Sequence, residues 1–473
     1  MADAPRMPDD LVHATDDARA RVTERLGLAF LVVAMASAYA AVGLFKHWHF
    51  DSSYDLGIFN QAVWHLSRFE TPASTISGYS NILGDHFYPI VFLFVVPYWI
   101  APAAETLIVA QAVLIASSIV PVYFFLRSRL ATSLSFALAV AYALFWGLQR
   151  AINVDVHEMA FAPLVIASAV LAMDRRRWGW LWVSCVVLVG IKEDLIPLVA
   201  AIGAYVFVRG KRRQGWALIA FGLLAFLAVV NVIIPSFSGG WSTGSAYRAV
   251  WERPWTALAL MVTPPRKLLT IVMWLAPFCF LPLRSPLALL IVPIGLERLL
   301  SSSSNHWGWG AHYTAPLAPL LAVSAGDGLS RLTRNFTGSR WRGLSGTLVT
   351  LSVVLALLVP GHQPILRLFT AGHYRIAVGR GAAAKALASI PPDASVVAQA
   401  ALLPHLSQRP RIYVLDVTSP DAEYVIASQS LDPWPLSGPG QVADLVQQRL
   451  AQRYVTIFDE AGWIVLRNPN APH

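Results

Sequence analysis

Apolar residues form a series of long blocks along most of the chain, separated by short polar segments. Several blocks approach the ~20 residues that an α-helix needs to cross the hydrocarbon core of a bilayer. The first block extends from Leu26 to Phe45. Later blocks are predicted at 104–126, 130–148, 159–173, 178–191, 195–208, 215–235, 267–283, 285–300, 313–330 and 343–360. This pattern predicts an all-α polytopic membrane protein with about eleven transmembrane helices.

Basic residues between the blocks predict the orientation of the chain. Inner segments of membrane proteins are enriched in Lys and Arg, so Arg19, Arg21 and Arg25 place the N-terminus in the cytoplasm. The run 87–100 has only 14 residues and suits a re-entrant or interfacial helix at the outer surface. The inner loops then contain Arg127, Arg129, Arg175, Arg176, Arg177, Arg209, Lys211, Arg212, Arg213, Arg284, Arg331, Arg334, Arg340 and Arg342. The exceptions are Arg248, Arg253, Arg266 and Lys267.

The composition changes after about Pro360, where short alternating segments replace the apolar blocks. Strand-like segments are 395–399, 411–415, 423–427, 454–458 and 463–466, and helix-like segments are 382–390 and 441–453. We therefore expect a cytoplasmic tail (1–25), a transmembrane domain (26–360) with a first outer loop (46–103), and an extracytoplasmic α/β domain (361–473). A role as lid, acceptor-binding domain or stabilising domain is expected for the last part.

Composition excludes a soluble protein and argues against nucleic acid as a partner. Hydrophobic residues make up 56% of the chain and charged residues 13%, about half the charge of soluble domains. The net charge of +9 comes from basic clusters between apolar blocks, as in cytoplasmic loops. Cys185 and Cys279 lie far apart within apolar blocks, so no disulfide framework is predicted.

Acidic and histidine residues collect on the predicted outer face, where basic clusters are absent. They are Asp51, Asp55, Asp85, His86, Asp155, His157, Glu158, Glu193, Asp194, His306 and His312, and the same face holds Lys192. Ionisable residues at membrane depth are costly and often functional. Their collection on one face therefore predicts a site there.

Each of these residues also has a structural interpretation. Asp55 lies near the start of a predicted interfacial amphipathic helix, where a carboxylate also favours the helix dipole. Asp85 and His86 suit a catalytic or metal pair, or an N-terminal cap. The triplet 192–194 interrupts apolar sequence and suits a structural ion network, and histidines such as those of segment 305–316 are often structural.

Five motifs in order resemble an uncharacterised family of predicted multipass membrane proteins. They are YDLGIFNQAVW, LGDHFYPI, DVHEMAFAP, IKEDL and HYTAPLAPLLA, and the later segment SVVAQAALLPHLSQRPRIYVL fits the same family. That family in turn resembles the GT-C superfamily of lipid-linked glycosyltransferases, over about 35–360 of this chain. The resemblance implies a GT-C-like fold with juxtamembrane helices. It also implies a sugar donor on a polyprenyl phosphate and chemistry at the outer face.

The resemblance further implies an acidic catalytic base in the first outer loop. Asp55 matches that position best, and Asp51 is the second candidate. The GDHFYP motif resembles the segment that opens the second juxtamembrane helix, but it lacks the paired prolines of the mannosyltransferases. The sugar and the acceptor, which is a glycan, a lipid or a protein, therefore stay open.

A lipid phosphate that leaves during transfer needs cations as charge develops on it. The basic residues that break the positive-inside pattern, Arg248, Arg253, Arg266 and Lys267, are candidates to bind it, with Lys192, His312 and Gln61 as further substrate-binding candidates. Alternatively, a divalent metal does this work, with Asp85, His86, His157, Glu158, Glu193, Asp194 and His306 as supporting residues.

The predicted function is therefore a glycosyltransferase of the cell membrane that uses a polyprenyl-phosphate-linked sugar, among membrane lipids. A secondary transporter is the main alternative, but it places its charges near the bilayer midplane, usually in repeated halves. A lipid flippase or a non-catalytic envelope assembly factor is the third possibility.

Overall fold

The computed structural model describes residues 9–238, 250, 252–334, 339–375 and 379–470. Its α-helices are α1 Asp9–Trp48, α2 Tyr54–Ser67, α3 Val95–Ile100, α4 Ala104–Ser117, α5 Ile119–Arg127, α6 Thr132–Ala143, α7 Trp146–Asn153, α8 Ala162–Asp174, α9 Trp178–Val189, α10 Ile196–Val208, α11 Arg212–Ala228, α12 Ile234–Ser238, α13 Ala257–Val262, α14 Arg266–Leu275, α15 Val292–Leu300, α16 Ser304–Trp307, α17 Leu317–Arg334, α18 Ser339–Leu358, α19 Arg380–Ala388, α20 Leu403–Leu406 and α21 Pro439–Ala451.

Among the described residues, four helices are long and apolar enough to cross a membrane, namely Ala18–Trp48, Ala104–Arg127, Thr132–Asn153 and Arg212–Ser238. The pair Pro254–Val262 and Arg266–Phe278, bent by 66°, makes up to five if it counts as one span. The predicted number of about eleven is therefore not confirmed. The difference arises because several apolar blocks fold as shorter helices, among them α8 and α10, which follow 3₁₀ turns, and α9.

Close helix packing around small residues holds the transmembrane region together. In the pair α10 and α11, a Cβ atom added to Gly215 would lie 2.5 Å from the Phe207 Cβ, and one added to Gly203 would lie 2.6 Å from the Ile219 nitrogen. Without a strong hydrophobic drive between helices in lipid, such close backbone approach supplies much of the packing energy. The pair therefore depends on these glycines.

Three helices of this region begin in the same way. A short 3₁₀ turn with polar residues, Glu158–Phe161, Glu193–Leu195 or His312–Thr314, precedes α8, α10 or α17. A proline follows each turn. Proline suits the start of a helix because its missing N–H has no intrahelical partner there. The charged motifs of the sequence are thus held at the N-terminal ends of three packed helices.

The C-terminal region contains a five-stranded sheet in the order β2-β1-β3-β5-β4. The strands are β1 Val396–Ala398, β2 Ile412–Val414, β3 Tyr424–Ser428, β4 Val455–Glu460 and β5 Trp463–Arg467. The β1 strand pairs in parallel with β2 and β3, whereas β5 is antiparallel to β3 and β4. Every strand lies within two residues of its predicted limits. The limits of the three predicted domains stay a prediction.

Helix α2 is covered on both sides, in contrast to the amphipathic interfacial helix that its periodicity predicts. Residues 56–63 are all buried. The side chain of Asn60 donates to the Ser407 hydroxyl at 2.8 Å, and that of Gln61 donates to the Arg409 carbonyl at 3.0 Å. The expected solvent-facing side is buried because the C-terminal sheet region packs on it.

Candidate functional site

Asp55 occupies the first turn of α2, at the point where the first outer loop enters the helix. Its Oδ2 atom lies 3.5 Å from Nε2 of His157 and accepts a hydrogen bond from the Ser53 hydroxyl at 3.3 Å. The Asp55 side chain retains 28% of its exposure, whereas that of His157 retains 9%. The carboxylate is thus reachable from outside and held in place from behind.

His157 is oriented by the backbone of its own segment. Its Nδ1 atom donates to the Asp155 carbonyl at 3.2 Å, which turns Nε2 toward Asp55. Asp155 is itself buried, bonds to the Lys46 ammonium at 2.9 Å, and accepts from the Ser53 backbone N–H. The end of α1, the first outer loop and the turn before α8 therefore meet at this pair.

Asp55 and His157 each favour the charged form of the other. Burial disfavours a charged Asp55, but the hydrogen bond and the charge of His157 outweigh burial and hold the pKa of Asp55 below its usual value. Burial also opposes charge on His157, yet Asp55 raises the pKa of the imidazole above its usual value. The contact therefore stabilises an ionised carboxylate and favours protonation of the imidazole.

A second histidine stacks on the first. The rings of His157 and His312 lie 3.8 Å apart between centroids, with 29° between their planes. His312 is 5% exposed, and neither of its ring nitrogens has a hydrogen-bond partner in the described part of the chain. Burial and the charges of His157 and Lys192 hold the pKa of His312 well below its usual value, so the ring is neutral. Buried polar atoms without a partner are uncommon.

Lys192 and Glu158 form a buried ion pair at 3.0 Å, directly behind the histidines. Burial disfavours both charges, but Lys192 lowers the pKa of Glu158, and Glu158 raises the pKa of Lys192. The Lys192 ammonium also lies 5.6 Å from the centroid of the Tyr313 ring. The turns before α8, α10 and α17 are therefore joined by one set of contacts.

Two further ion pairs extend this set. His86 bonds through Nδ1 to the Glu193 carboxylate at 2.5 Å, and that carboxylate also accepts from the Phe87 backbone N–H at 2.9 Å. Asp194 lies 3.3 Å from Arg298, which is completely buried. The GDHFYP and IKEDL motifs are thus in direct contact.

Arg298 and its neighbour Glu297 were not among the candidates from sequence. Arg298 contacts Glu297 at 2.6 Å, and His306 lies 3.9 Å from the same carboxylate. An acid followed by a base inside the apolar block 285–300 was the available signal, because ionisable residues at membrane depth usually have partners.

The remaining candidates form no ion pair with this set in the described part of the chain. Asp51, Arg253 and Arg266 are exposed, and Arg266 lies 5.6 Å from the Trp309 ring centroid. Asp85 follows the 3₁₀ turn before His86, and Gln61 contacts the C-terminal sheet region. Arg248 lies outside the described residues.

Asp85 is close enough to affect Tyr54, the residue before Asp55. Burial is the main cause that raises the pKa of the Tyr54 hydroxyl to about 12, and the charges of Asp55 and Asp85 add to it. The Tyr54 ring also lies 4.9 Å from that of Trp434 in the C-terminal region. The mouth of the site is therefore bordered by both parts of the chain.

Lys267 is buried, and its ammonium already has three partners. It donates to the carbonyls of Leu260 at 2.6 Å, Leu299 at 2.6 Å and Ser301 at 3.0 Å. An ammonium has three N–H donors, so all of them are used.

The same histidines and carboxylates bear on the predicted divalent metal site. Within the described ranges, no three His, Cys, Asp or Glu side chains are grouped so that they could hold a metal ion. The histidines and carboxylates instead pair with each other and with cations, as at His86 and Glu193. The divalent metal stays a prediction without support from these contacts.

Solved structures with a similar fold were found. ArnT from Cupriavidus metallidurans bound to undecaprenyl phosphate matches with a TM-score of 0.52 and 15% identity, over 93% of this chain and 99% of that chain. The same protein in the apo state matches with a TM-score of 0.53 and 13% identity, over 95% and 100%. The Archaeoglobus fulgidus oligosaccharyltransferase in the apo form gives 0.45 and 12%, over 85% and 70%.

The two ArnT matches establish a fold like that of ArnT, because each covers nearly the whole of both chains. No curated protein matches this chain in sequence. A family model described as predicted membrane protein (DUF2079) matches residues 46–465. The chain therefore belongs to the DUF2079 family of membrane proteins.

Proposed function

We propose that the protein is a membrane glycosyltransferase that moves a sugar from a polyprenyl-phosphate donor to an acceptor hydroxyl. The observation that carries this proposal is the half-exposed Asp55 carboxylate held 3.5 Å from the buried His157. The similarity of fold to ArnT, which was solved with undecaprenyl phosphate, supports a polyprenyl-linked donor. Asp55 lies at the entrance of the site and keeps part of its exposure. This position favours a reaction at the membrane surface over transport of a solute through the membrane.

Asp55 acts in this proposal as the general base. Both of its described contacts use Oδ2, which leaves Oδ1 to accept the proton of the attacking hydroxyl. A carboxylate with a lowered pKa is ionised at neutral pH and is a weak base. A weak base suffices where the leaving group is a phosphate, since the hydroxyl becomes acidic as its bond to the anomeric carbon forms.

Lys192 and His312 are the groups that we assign to the donor phosphate. The Lys192 ammonium forms one ion pair among the described residues, with Glu158, and His312 has two buried nitrogens without a described partner. Arg253 and Arg266 are exposed and remain candidates, as does Arg248. Lys267 is not included, because its three donors are already bound to carbonyls.

The proposal also includes the orientation of the protein and its location in the cell. The protein lies in the plasma membrane with a cytoplasmic N-terminus, and both Asp55 and the C-terminal α/β domain face outward. That domain borders the mouth of the site through Trp434, which packs 4.9 Å from Tyr54. It is therefore suited to bind the glycan, lipid or protein acceptor.

Transfer of radiolabelled sugar from a panel of polyprenyl-phosphate sugars tests the proposal, in membranes that contain the wild type or Asp55→Asn. We expect a loss of about 10²–10⁴-fold, the usual contribution of a general base. The matched control is Asp51→Asn, since Asp51 is exposed, belongs to the same loop and forms no ion pair among the described residues.

Equal activity of the wild type and Asp55→Asn would contradict the role of Asp55. A larger loss in Asp51→Asn than in Asp55→Asn would move the base to Asp51. Failure of the wild type to use any donor in the panel would shift support toward a transporter or an assembly factor.

A further inference from the structure

A polar cavity of about 330 Å³ lies at the end of the helices opposite Asp55. Asp174, at the last position of α8, lines this cavity, whereas Glu158 of the Asp55 site precedes the first position of the same helix. Positive-inside loops place this end of the helices at the cytoplasmic surface. The cavity is therefore separate from the proposed catalytic site.

The acidic side chains that line the cavity are already occupied. Arg129 binds Asp174 through two nitrogens, one of them at 3.0 Å, and binds Asp327 at 3.3 Å. Asp327 also accepts from the Ser285 hydroxyl at 2.7 Å and from Arg331 at 2.7 Å. Arg129 thus binds both carboxylates. With Arg129 and Arg331 as their partners, Asp174 and Asp327 add no net negative charge to the cavity.

Three further cations line the cavity without a carboxylate partner. They are Arg176, Arg209 and Lys211, and none forms an ion pair within the part of the chain that the structure describes. With Arg129 they make four basic groups against two acidic ones. The cavity therefore carries excess positive charge that an anion would compensate.

The backbone conformation at one of these cations, Arg176, is strained. Arg176 has a φ of +55°, at the left-handed position after α8, where its N–H bonds to the Met173 carbonyl at 3.2 Å. In the comparable turn between α10 and α11, Gly210 takes the left-handed conformation with a φ of +85°. An L-residue is strained in this conformation, which glycine adopts freely. The turn before α9 thus carries a guanidinium where glycine would be easier to accommodate.

The inner wall of the cavity is apolar, with Phe125, Met173, Val206 and Leu287, and Trp178 and Tyr205 also line it. Aromatic residues of this kind lie at the headgroup level of membranes. Free phosphate would gain nothing from the apolar wall, whereas a lipid has both an anionic headgroup and apolar chains. We propose that this cavity binds the phosphate-bearing headgroup of an anionic membrane lipid on the side opposite Asp55.

Binding of phosphatidylglycerol to the purified, delipidated full-length protein tests the proposal, with native mass spectrometry as the readout. Phosphatidylcholine and inorganic phosphate serve as parallel probes, because both carry phosphate but only phosphatidylglycerol is an anionic lipid. We expect phosphatidylglycerol to bind with the highest affinity. Arg176→Gln and Arg209→Gln should each weaken it about five-fold, since a juxtamembrane cation contributes about 1 kcal/mol.

Arg175→Gln is the matched control, because Arg175 lies in the same turn but contacts the Phe124 ring, 5.6 Å away, instead of the cavity. Arg176→Gly guards against a folding defect, since glycine adopts the same φ without strain and still removes the cation. An equal loss in Arg175→Gln would overturn the proposal in favour of general surface charge. Binding of inorganic phosphate as tight as that of phosphatidylglycerol, or equal binding of both lipids, would also overturn it.

Discussion

Asp55 and His157 are 102 positions apart in the chain, yet their side chains meet at 3.5 Å. The ring of His312 stacks on the buried His157 imidazole, whereas the Asp55 carboxylate keeps part of its exposure. Because His157 lowers the pKa of Asp55, the pH dependence of sugar transfer tests the proposed role of this pair.

His157→Gln should move the acidic limb of the transfer activity to higher pH. His157 is the main group that lowers the pKa of Asp55 against the effect of burial. Without it the pKa of Asp55 rises, so the base becomes protonated and inactive at a higher pH than in the wild type. The measurement is the rate of sugar transfer between about pH 3 and 8, a range that spans the ordinary Asp and His pKa values.

Ser53→Ala provides a graded control for that shift. Its hydroxyl donates to Asp55 at 3.3 Å and also lowers the pKa of the carboxyl, but less than His157 does. A smaller shift in the same direction is expected. A profile in His157→Gln that loses height without moving along the pH axis would mean that His157 has only a structural role.

Replacement of one member of the Lys192–Glu158 pair should destabilise the protein strongly. Glu158→Gln leaves a buried ammonium without its carboxylate at 3.0 Å, and a broken buried pair costs about 3–5 kcal/mol. The double variant Lys192→Met, Glu158→Leu should recover most of this stability, because no uncompensated charge remains. Thermal unfolding in detergent measures both effects.

The same double variant separates the two interpretations of Lys192. If Lys192 binds the donor phosphate, the stable double variant should have lost sugar transfer. Transfer at the wild-type rate in that variant would assign the pair to a structural ion network alone.

Arg298→Lys should lower the stability of the protein nearly as much as Arg298→Met. Arg298 contacts Asp194 at 3.3 Å and Glu297 at 2.6 Å from a completely buried position. The planar guanidinium reaches two carboxylates at once, and an ammonium lacks this geometry. We expect a loss of about 3 kcal/mol for each variant, measured by thermal unfolding. Full retention of stability in Arg298→Lys would show that charge alone is sufficient.

Gln61→Leu should loosen the contact between α2 and the C-terminal sheet region. The side-chain amide donates to the Arg409 carbonyl at 3.0 Å and accepts from the Thr75 N–H at 2.9 Å. Leucine would leave the carbonyl of the buried Arg409 without this hydrogen bond, at about 1–3 kcal/mol, and would also remove the bond to the half-buried Thr75. Limited proteolysis should then cleave the variant faster than the wild type, between the transmembrane and C-terminal regions.

Gln447→Leu is the control for Gln61→Leu, because Gln447 is exposed on α21. Equal cleavage of the two variants would contradict the docking role of Gln61. A Gln61→Leu variant with unchanged proteolysis but weaker donor binding would instead support Gln61 as a substrate-binding residue.

Local patterns predicted some parts of this structure better than others. The strands of the C-terminal sheet follow from short apolar runs with turn residues between them, and their limits differ by at most two residues. The charged motifs were singled out because their cost at membrane depth is visible in the sequence. Both properties depend on neighbouring residues only.

Contacts between distant segments could not be predicted in the same way. Arg298 and Asp194 are 104 positions apart, and only the packing of α15 against the turn before α10 brings them together. Similarly, the periodicity of α2 predicts one buried side, but the C-terminal sheet region covers the other. The predicted number of spans is not confirmed for a related reason, since an apolar block does not reveal where a 3₁₀ turn shortens its helix.

The short length of α8 has a consequence for where the proposed reaction takes place. Its 13 residues extend about 20 Å, whereas the hydrocarbon core of a bilayer is about 30 Å thick. In the proposed orientation, with Asp174 and the arginines that follow it at one surface, α8 alone ends short of the opposite surface. The 4-residue turn before it, which adds about 8 Å, brings Glu158 and His157 close to that surface. A long-chain lipid donor could thus present its phosphate to this turn while its tail stays in the membrane, and the acceptor would reach it from outside.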